Sequence, residues 1–454
     1  MKDFTEEYLE HIKDIIARKD KESAEKELEE MHPADIAELY KDLDLEEAEY
    51  LFRMLDDDTR ADVLMELDEE DRKKLLADLP AEEIAKQYID HLDTDEAVDL
   101  IQELDEEDRE KILSHIDDVE QAGDIIDLLK YDEDTAGGLM GTEMIVVNEN
   151  WSMPECIKQM RMQAEDMDEI YYVYVVDNDD RLRGILPLKT LITHPSVSKI
   201  KKIMEADPAS VKTDTPIDEV ALDFEKYDLV AMPVVDSIGR LVGRITVDDV
   251  MDQVRESSER DYQLASGLSS DVDAEDSVFR QTRARIPWLL IGIASGILAS
   301  LILSGFETQL AAVTTLALFI PIIGGTGGNV GVQSSAIVVQ GLANGSLDIS
   351  HFARQLWKEV RVGLLNATII SAVVFVYNLI MIPHDFAVTI SVAVSLFIVV
   401  MFATILGSVV PLTLEKLKIN PALATGPFIQ ISNDIVGLII YVYTSTFFLE
   451  LFGR

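Results

Sequence analysis

Charge and apolarity separate almost completely along this chain. Residues 1–285 hold 33 Lys and Arg against 78 Asp and Glu, whereas residues 286–454 hold 6 against 7. The second part is a series of apolar segments, near 286–305, 310–342, 361–382, 387–413 and 421–449. Each reaches the roughly 20 residues that a helix needs to cross a bilayer. Such a chain folds as a water-soluble body attached to an all-α membrane domain. Pro321, followed by Gly324, Gly325, Gly327 and Gly328, predicts a kink or break in the second segment. The basic residues Arg280, Arg283 and Arg285, then Arg354, Lys358 and Arg361, then Lys416 and Lys418, fall on one side if the chain crosses five times. That side is the cytoplasm, which leaves the C-terminus outside.

The soluble part contains two kinds of repeat. Leu43, Leu55, Leu67 and Leu79 are twelve residues apart, and Leu92, Leu104 and Ile116 resume the spacing. The near copies "LDEEDRKKLLAD" and "LDEEDREKILSH" read as a capping Asp, acids in the first turn and a short amphipathic helix. Helices this short bury a face only by stacking, which predicts an α-solenoid. A second repeat, with a period of 59 residues, matches "VVDNDDRLRGIL" from Val175 with "VVDSIGRLVGRI" from Val234. Strand, polar turn, strand and helix follow in each copy, so residues 139–254 resemble a tandem pair of CBS domains. Such pairs often hold nucleotides. Only the second copy keeps a Thr-x-x-Asp, Thr246 and Asp249, suited to a ribose; the first has Pro187 and Thr190 there. The domains are expected at 1–130, 131–203, 204–250, 251–280 (a connecting, or plug, helix and linker) and 281–454.

A net charge of −45 on residues 1–285 repels itself unless cations bind it. No basic face is available for nucleic acid. The single cysteine, Cys156, forms no intrachain disulfide and no thiolate metal site. Met1–Asp20 lacks an apolar core, so no cleaved signal peptide is expected.

Asp434 lies halfway along the fifth segment, in "NPALATGPFIQISNDIVGLIIYVY". A carboxylate at membrane depth costs about 2.5–3.5 kcal/mol on insertion scales, so it faces a polar path or a partner. No Lys or Arg lies at comparable depth, and a cation is the natural compensation. In the second segment "GGTGGNVGVQSSAIVV" offers Asn329 and Gln333 on one helix face, beside Ser334 and Ser335. The set has no His or Cys cluster, which disfavours zinc and copper. A few oxygen donors suit Mg²⁺, which sheds water reluctantly and takes one or two carboxylates. A two-fold axis would supply both from one residue.

Acidic helical repeat, CBS pair, linker helix and five spans together resemble the MgtE family of bacterial Mg²⁺ channels. "AGGLMGTEMIVV", "GTGGNVGVQSS" and "NPALATGPFIQISNDIVG" carry the likeness, which covers essentially the whole chain. The resemblance implies a multi-pass homodimer in the bacterial cytoplasmic (inner) membrane, with the N-terminus and CBS domains cytoplasmic. It implies a pore lined by segments two and five, including Asn329, Gln333, Ser334, Thr425 and Gly426, with Asp434 as the selectivity carboxylate. It further implies closure by cytoplasmic Mg²⁺ at Asp62, Asp95 and Asp99 in the helical domain and at Asp218, Asp228, Asp249 and Asp252 in the CBS pair and connector. Other divalent cations are possible cargo, and ATP is a possible ligand of the CBS pair. Two positions depart from the family: Asn420 stands where some members have an acid, and Leu229 replaces an aromatic that can stack on a base. A membrane-anchored CBS sensor that conducts nothing is the competing reading. An anion channel is disfavoured by Asp434, and no nucleophile–base pair or Walker loop supports an enzyme or a pump.

Overall fold

The structure is a computed structural model. It describes all residues except 1–5, 29–30, 78, 165–166, 168–169, 271, 273, 275, 308–312, 345, 348–351, 383–384 and 453–454. The chain divides into two compact units, Met1–Val254 and Arg255–Arg454.

The first unit begins with ten short α-helices among the described residues, running from Glu6–Arg18 to Val119–Leu128. Two matter below, α1 (Asp57–Met65) and α2 (Thr94–Gln102). The twelve-residue repeat is the solenoid's inner ridge. Leu55, Leu67 and Leu92 are buried, and Leu43, Leu79, Leu104 and Ile116 pack against the same core. The Asp that opens a unit caps the next helix. Asp44, Asp56 and Asp68 accept the N3 amides of Glu47, Thr59 and Asp71 at 2.9, 3.0 and 3.0 Å, each worth about 1 kcal/mol.

The second repeat gives two small sheets. In the first, β1 (Ile145–Asn148) runs parallel to β2 (Tyr172–Val176), which pairs antiparallel with β3 (Leu182–Pro187) and then β4 (Glu205–Ala206). In the second, β5 (Val211–Lys212) is parallel to β6 (Ala231–Val235), and β6 is antiparallel to β7 (Leu241–Thr246). The copies agree in detail. Each ladder slips at the same place, Val175/Val176 and Val234/Val235. Asp177 and Asp236 close the two turns by accepting the amides of Arg181 and Arg240. The turns then pair with each other, Leu182 N donating to Gly239 O and Leu241 N to Asp180 O. The two sheets differ in what they pack on. The first copy has a core of its own around Val173, Val175 and Leu186, whereas Val220, Phe224, Val234 and Ile245 of the second share one core with the solenoid.

Helix α3 (Val247–Ser266) follows β7 and ends at Gly267, whose φ of +83° supplies the left-handed residue that stops a helix. The second unit then holds five helices long and apolar enough to cross a membrane. They are α4 (Val278–Gly305), α5 (Ile320–Ala343, entered through the 3₁₀ turn Thr314–Phe319), α6 (Phe352–Met381), α7 (Phe386–Lys416) and α8 (Gly426–Leu451). Helix α7 is the most enclosed, with α5, α6 and α8 packed around it, while α4 lies against α8. The expected break at the glycine run is absent: α5 continues unbroken through Gly324–Gly328. The reason is tertiary. Val399 of α7 packs on Gly327, and Asn433 of α8 packs on Gly331, so neighbouring helices close on the bare backbone and hold it helical.

Candidate functional site

In the first unit, carboxylates from three stretches of chain converge. Asp93 sits at the N-cap of α2, yet its side chain makes no capping bond and lies 3.4 Å from Arg244 of β7. The first amide of α2, Thr94 N, donates to Glu143 Oε1 at 3.1 Å, and the Thr94 hydroxyl donates to Oε2 at 3.1 Å. Thr142 N in turn donates to Thr94 Oγ1 at 3.0 Å. Arg244 bonds the Glu143 carbonyl and pairs through its backbone with Gly141. Oxygens of Asp93, Asp95 and Glu143 thereby lie within 4.8 Å of one another. Gly141 makes this possible, because a methyl group there would stand 2.9 Å from Asp95 Oδ2 and 3.0 Å from Glu143 Oε2.

This joint is short of positive charge. Burial, then the charges of Asp249, Glu143, Asp93 and Glu96, push the Asp95 carboxyl well above the usual range. Burial, followed by Asp93, Asp62 and Asp249, pushes Glu96 up to about 8. Asp99, also raised mainly by burial and partly relieved by Arg72, is pushed up to about 6. Asp249 is raised by burial, although the hydroxyl and amide of Thr246, both bonded to its Oδ2, work the other way. Hard oxygen donors at this spacing, with unfavourable mutual charge, fit a divalent cation such as Mg²⁺.

Of the seven acids proposed from sequence to bind regulatory ions, Asp95, Asp99 and Asp249 meet here electrostatically, with Asp62 of α1 acting on Glu96. Asp218, Asp228 and Asp252 are exposed and lie outside the close cluster of Asp93, Asp95 and Glu143. Asp228 terminates its helix in the left-handed conformation, at φ +52°. Thr246 is buried, and its amide and hydroxyl both donate to Asp249 Oδ2, so the two residues singled out for a ribose bond each other at the start of α3.

In the second unit, the polar face of α8 lies along α5. A methyl group at Gly324 would stand 3.4 Å from Asp434 Oδ1, and one at Gly328 would stand 3.0 Å from Gln430 Nε2. Both head groups therefore rest over glycine backbone, one helical turn apart. Asn433, next in sequence, is fully buried against Gly331, and neither amide atom is bonded among the described residues. Asn329 and Gln333 are exposed on another face of α5. Ser334 is buried against Gly407 of α7. Thr425 stands at the N-cap position of α8 without a side-chain capping bond, its hydroxyl donating instead to Ala422 O at 2.7 Å. Gly426 follows at φ +41°, where a methyl group would meet the Ala265 carbonyl at 2.0 Å. Asn420 donates to Asp261 Oδ1 at 2.7 Å, an amide–carboxylate bond where two acids would need an ion between them.

Family models match along the chain: the MgtE intracellular N domain at 31–134, CBS domains at 136–196 and 200–256, and the MgtE divalent cation transporter domain at 320–444. The magnesium transporter MgtE of Thermus thermophilus is 38% identical over 327 residues, covering 70% of this chain and 71% of that protein. The chain belongs to the MgtE family of magnesium transporters. The MgtE of Bacillus subtilis is 30% identical over 320 residues, with coverage of 70% and 71%. Among solved structures, the cytosolic domain of the Mg²⁺ channel MgtE in complex with ATP is 33% identical, with a TM-score of 0.51, and matches 53% of this chain and 98% of that one. A magnesium transporter's soluble part, 29% identical, also gives a TM-score of 0.51, with coverage of 56% and 99%. The family is one of transporters and not of enzymes.

Within this MgtE chain, sequence reasoning missed Asp93, Glu143, Gln430 and Asn433. Asp93 reads as one more helix cap, and Glu143 as a polar residue before a strand. The only signal was "MGTE", where a glycine two residues before an acid marks a close backbone approach.

Proposed function

We propose that two copies of this chain form a Mg²⁺-selective pore in the bacterial cytoplasmic membrane, lined by α5 and α8, through which the ion flows passively. Asp434 is the ion-binding carboxylate, and the two-fold axis supplies its twin. One observation carries the reading: a carboxylate inside a membrane-length helix rests over the bare backbone of Gly324, in a groove whose other head group is a neutral amide. There a hydrated divalent ion is held by charge without being stripped of water. Asn329, Gln333, Thr425 and Gly426 belong to the walls and mouth of that path. The N-terminus and CBS pair face the cytoplasm, and the C-terminus lies outside.

Cytoplasmic Mg²⁺ closes the pore by occupying the acidic joint. Asp93, Asp95 and Glu143 are its nearest ligands, with Asp62, Asp99 and Asp249 adding field, and Asp218, Asp228 and Asp252 holding further ions along the CBS pair and connector. Without the ion, carboxylate repulsion favours a separated joint; with it, the docked form is favoured by differential affinity. ATP is a second ligand of the CBS pair near Thr246 and Asp249, a reading supported by the ATP complex of the related cytosolic domain.

The test is divalent-ion flux into liposomes holding the full chain, wild type beside Asp434→Ala. Loss of Mg²⁺ flux from a variant that stays folded and dimeric is expected. Retained selective flux would overturn the pore assignment, and no flux from wild type would favour a CBS sensor without conduction.

A further inference from the structure

We propose that Gln430 is a second selectivity group of this pore, whose amide carbonyl accepts a hydrogen bond from the water shell of the ion that Asp434 attracts; the inference rests on the pore reading above. Gln430 and Asp434 are four residues apart on α8, so they share a face with a rise of roughly 6 Å between them. Their head groups stand over Gly328 and Gly324, which are also four apart on α5. The two helices thus bring one carboxylate and one amide over the bare backbone of Gly324 and Gly328. Among the described residues the Gln430 amide makes no hydrogen bond, and the side chain is exposed in the protomer. Its placement is nevertheless defined, because the amide fills the space a methyl group on Gly328 would take, with Nε2, Cδ and Oε1 at 3.0, 3.1 and 3.4 Å from that position, and the buried Asn433 packs on Gly331 one turn further along α5.

The chemistry follows from the ion. Mg²⁺ holds six waters at about 2.1 Å, so its shell spans enough length for waters on one ion to reach two groups roughly 6 Å apart. Those waters present only hydrogens outward. A carboxylate and an amide carbonyl both accept them, and the neutral amide adds direction without the charge that would trap the ion. Ions that shed water more readily lose less when the second acceptor is absent. Gln430 therefore favours the hydrated ion over its partly dehydrated competitors.

The experiment is flux of Mg²⁺ against Mn²⁺ and Co²⁺ through the full chain in liposomes, comparing wild type, Gln430→Ala and Asp434→Ala. Gln430→Ala is expected to keep conducting while the Mg²⁺/Co²⁺ flux ratio falls roughly three- to tenfold, the effect of losing one hydrogen bond. An unchanged ratio in a conducting Gln430→Ala overturns the proposal. If that variant fails to fold, Gln430→Met keeps the side chain's length without its polar atoms and carries the same two outcomes. Flux retained in Asp434→Ala would sink the pore reading itself, whereas flux lost in Asp434→Ala with a neutral Gln430→Ala sinks only this inference.

Discussion

The acidic joint of the first unit and the groove of the second handle carboxylates in opposite ways. In the joint, Asp93, Asp95 and Glu143 crowd within 4.8 Å, surrounded by Glu96, Asp99 and Asp249, with Arg244 as the nearby cation. In the groove, Asp434 stands over glycine with neutral amides beside it. Many acids from separate stretches of chain make a place where, on the proposed reading, a bound ion would decide whether the pieces stay together. A single acid on one rigid helix makes a place where an ion can bind and leave. On the proposed reading the same residue type would serve as a clasp in one region and as a stepping stone in the other.

That contrast breaks most directly at Asp434. Removing it is expected to lower Mg²⁺ flux by roughly a hundredfold, the scale of one charge-assisted contact, with no change in the Mg²⁺-induced stabilisation of the soluble unit. Flux and Mg²⁺ stabilisation falling together would erase the distinction. The next largest effect is expected from Asp95→Asn or Glu143→Gln. Saturating Mg²⁺ stabilises a docked joint by RT ln(1 + [L]/Kd), about 2.7 kcal/mol at a hundredfold excess over Kd. Either variant should lose most of that increment in thermal unfolding while still conducting; a full Mg²⁺ shift in both would remove the joint as an ion site.

A change of pH sharpens the comparison further. The raised pKa values of Asp95, Glu96 and Asp99 mean that the folded joint binds more protons than the unfolded chain. Their stabilisation is therefore fully present near pH 4 and is lost as pH rises through about 6 for Asp99 and about 8 for Glu96. Without Mg²⁺ the soluble unit should melt at a higher temperature at pH 5.5 than at pH 8. With Mg²⁺, which takes over the protons' role, that slope should flatten. Equal slopes with and without the ion would count against the arrangement. The smallest effect is expected from Asp44→Ala, which removes a true helix cap and should cost about 1 kcal/mol while leaving the Mg²⁺ increment intact. It separates acids that hold helices from acids that hold ions.

Much of this was legible in the residues. The spacing of Leu43, Leu55, Leu67 and Leu79 is the ridge of the solenoid, and the period of 59 residues reappears as matching ladder slips in the two sheets. Asp434 stood out because an acid in an apolar helix has no other compensation. What stayed hidden depends on approach in three dimensions. The glycine run reads as a breaker in isolation, and only the packing of Val399 and Asn433 keeps it helical. Gln430 and Asn433 look like ordinary polar residues until α5 supplies a surface without side chains. Asp93 has the sequence of a cap, and only Arg244, 151 residues away, shows that it is used otherwise.

That diversion has a consequence for α2. Its leading amide, at Thr94, is satisfied by Glu143, a residue from the far side of the joint, while the Asp next to it is turned away. If the joint separates as proposed, the helix end loses its borrowed oxygen, and Asp93, at the N-cap position, is the acid placed to take over that amide. On that reading the start of α2 would change hands between Glu143 and Asp93, and its amide protection against hydrogen exchange would report which of the two acids holds it.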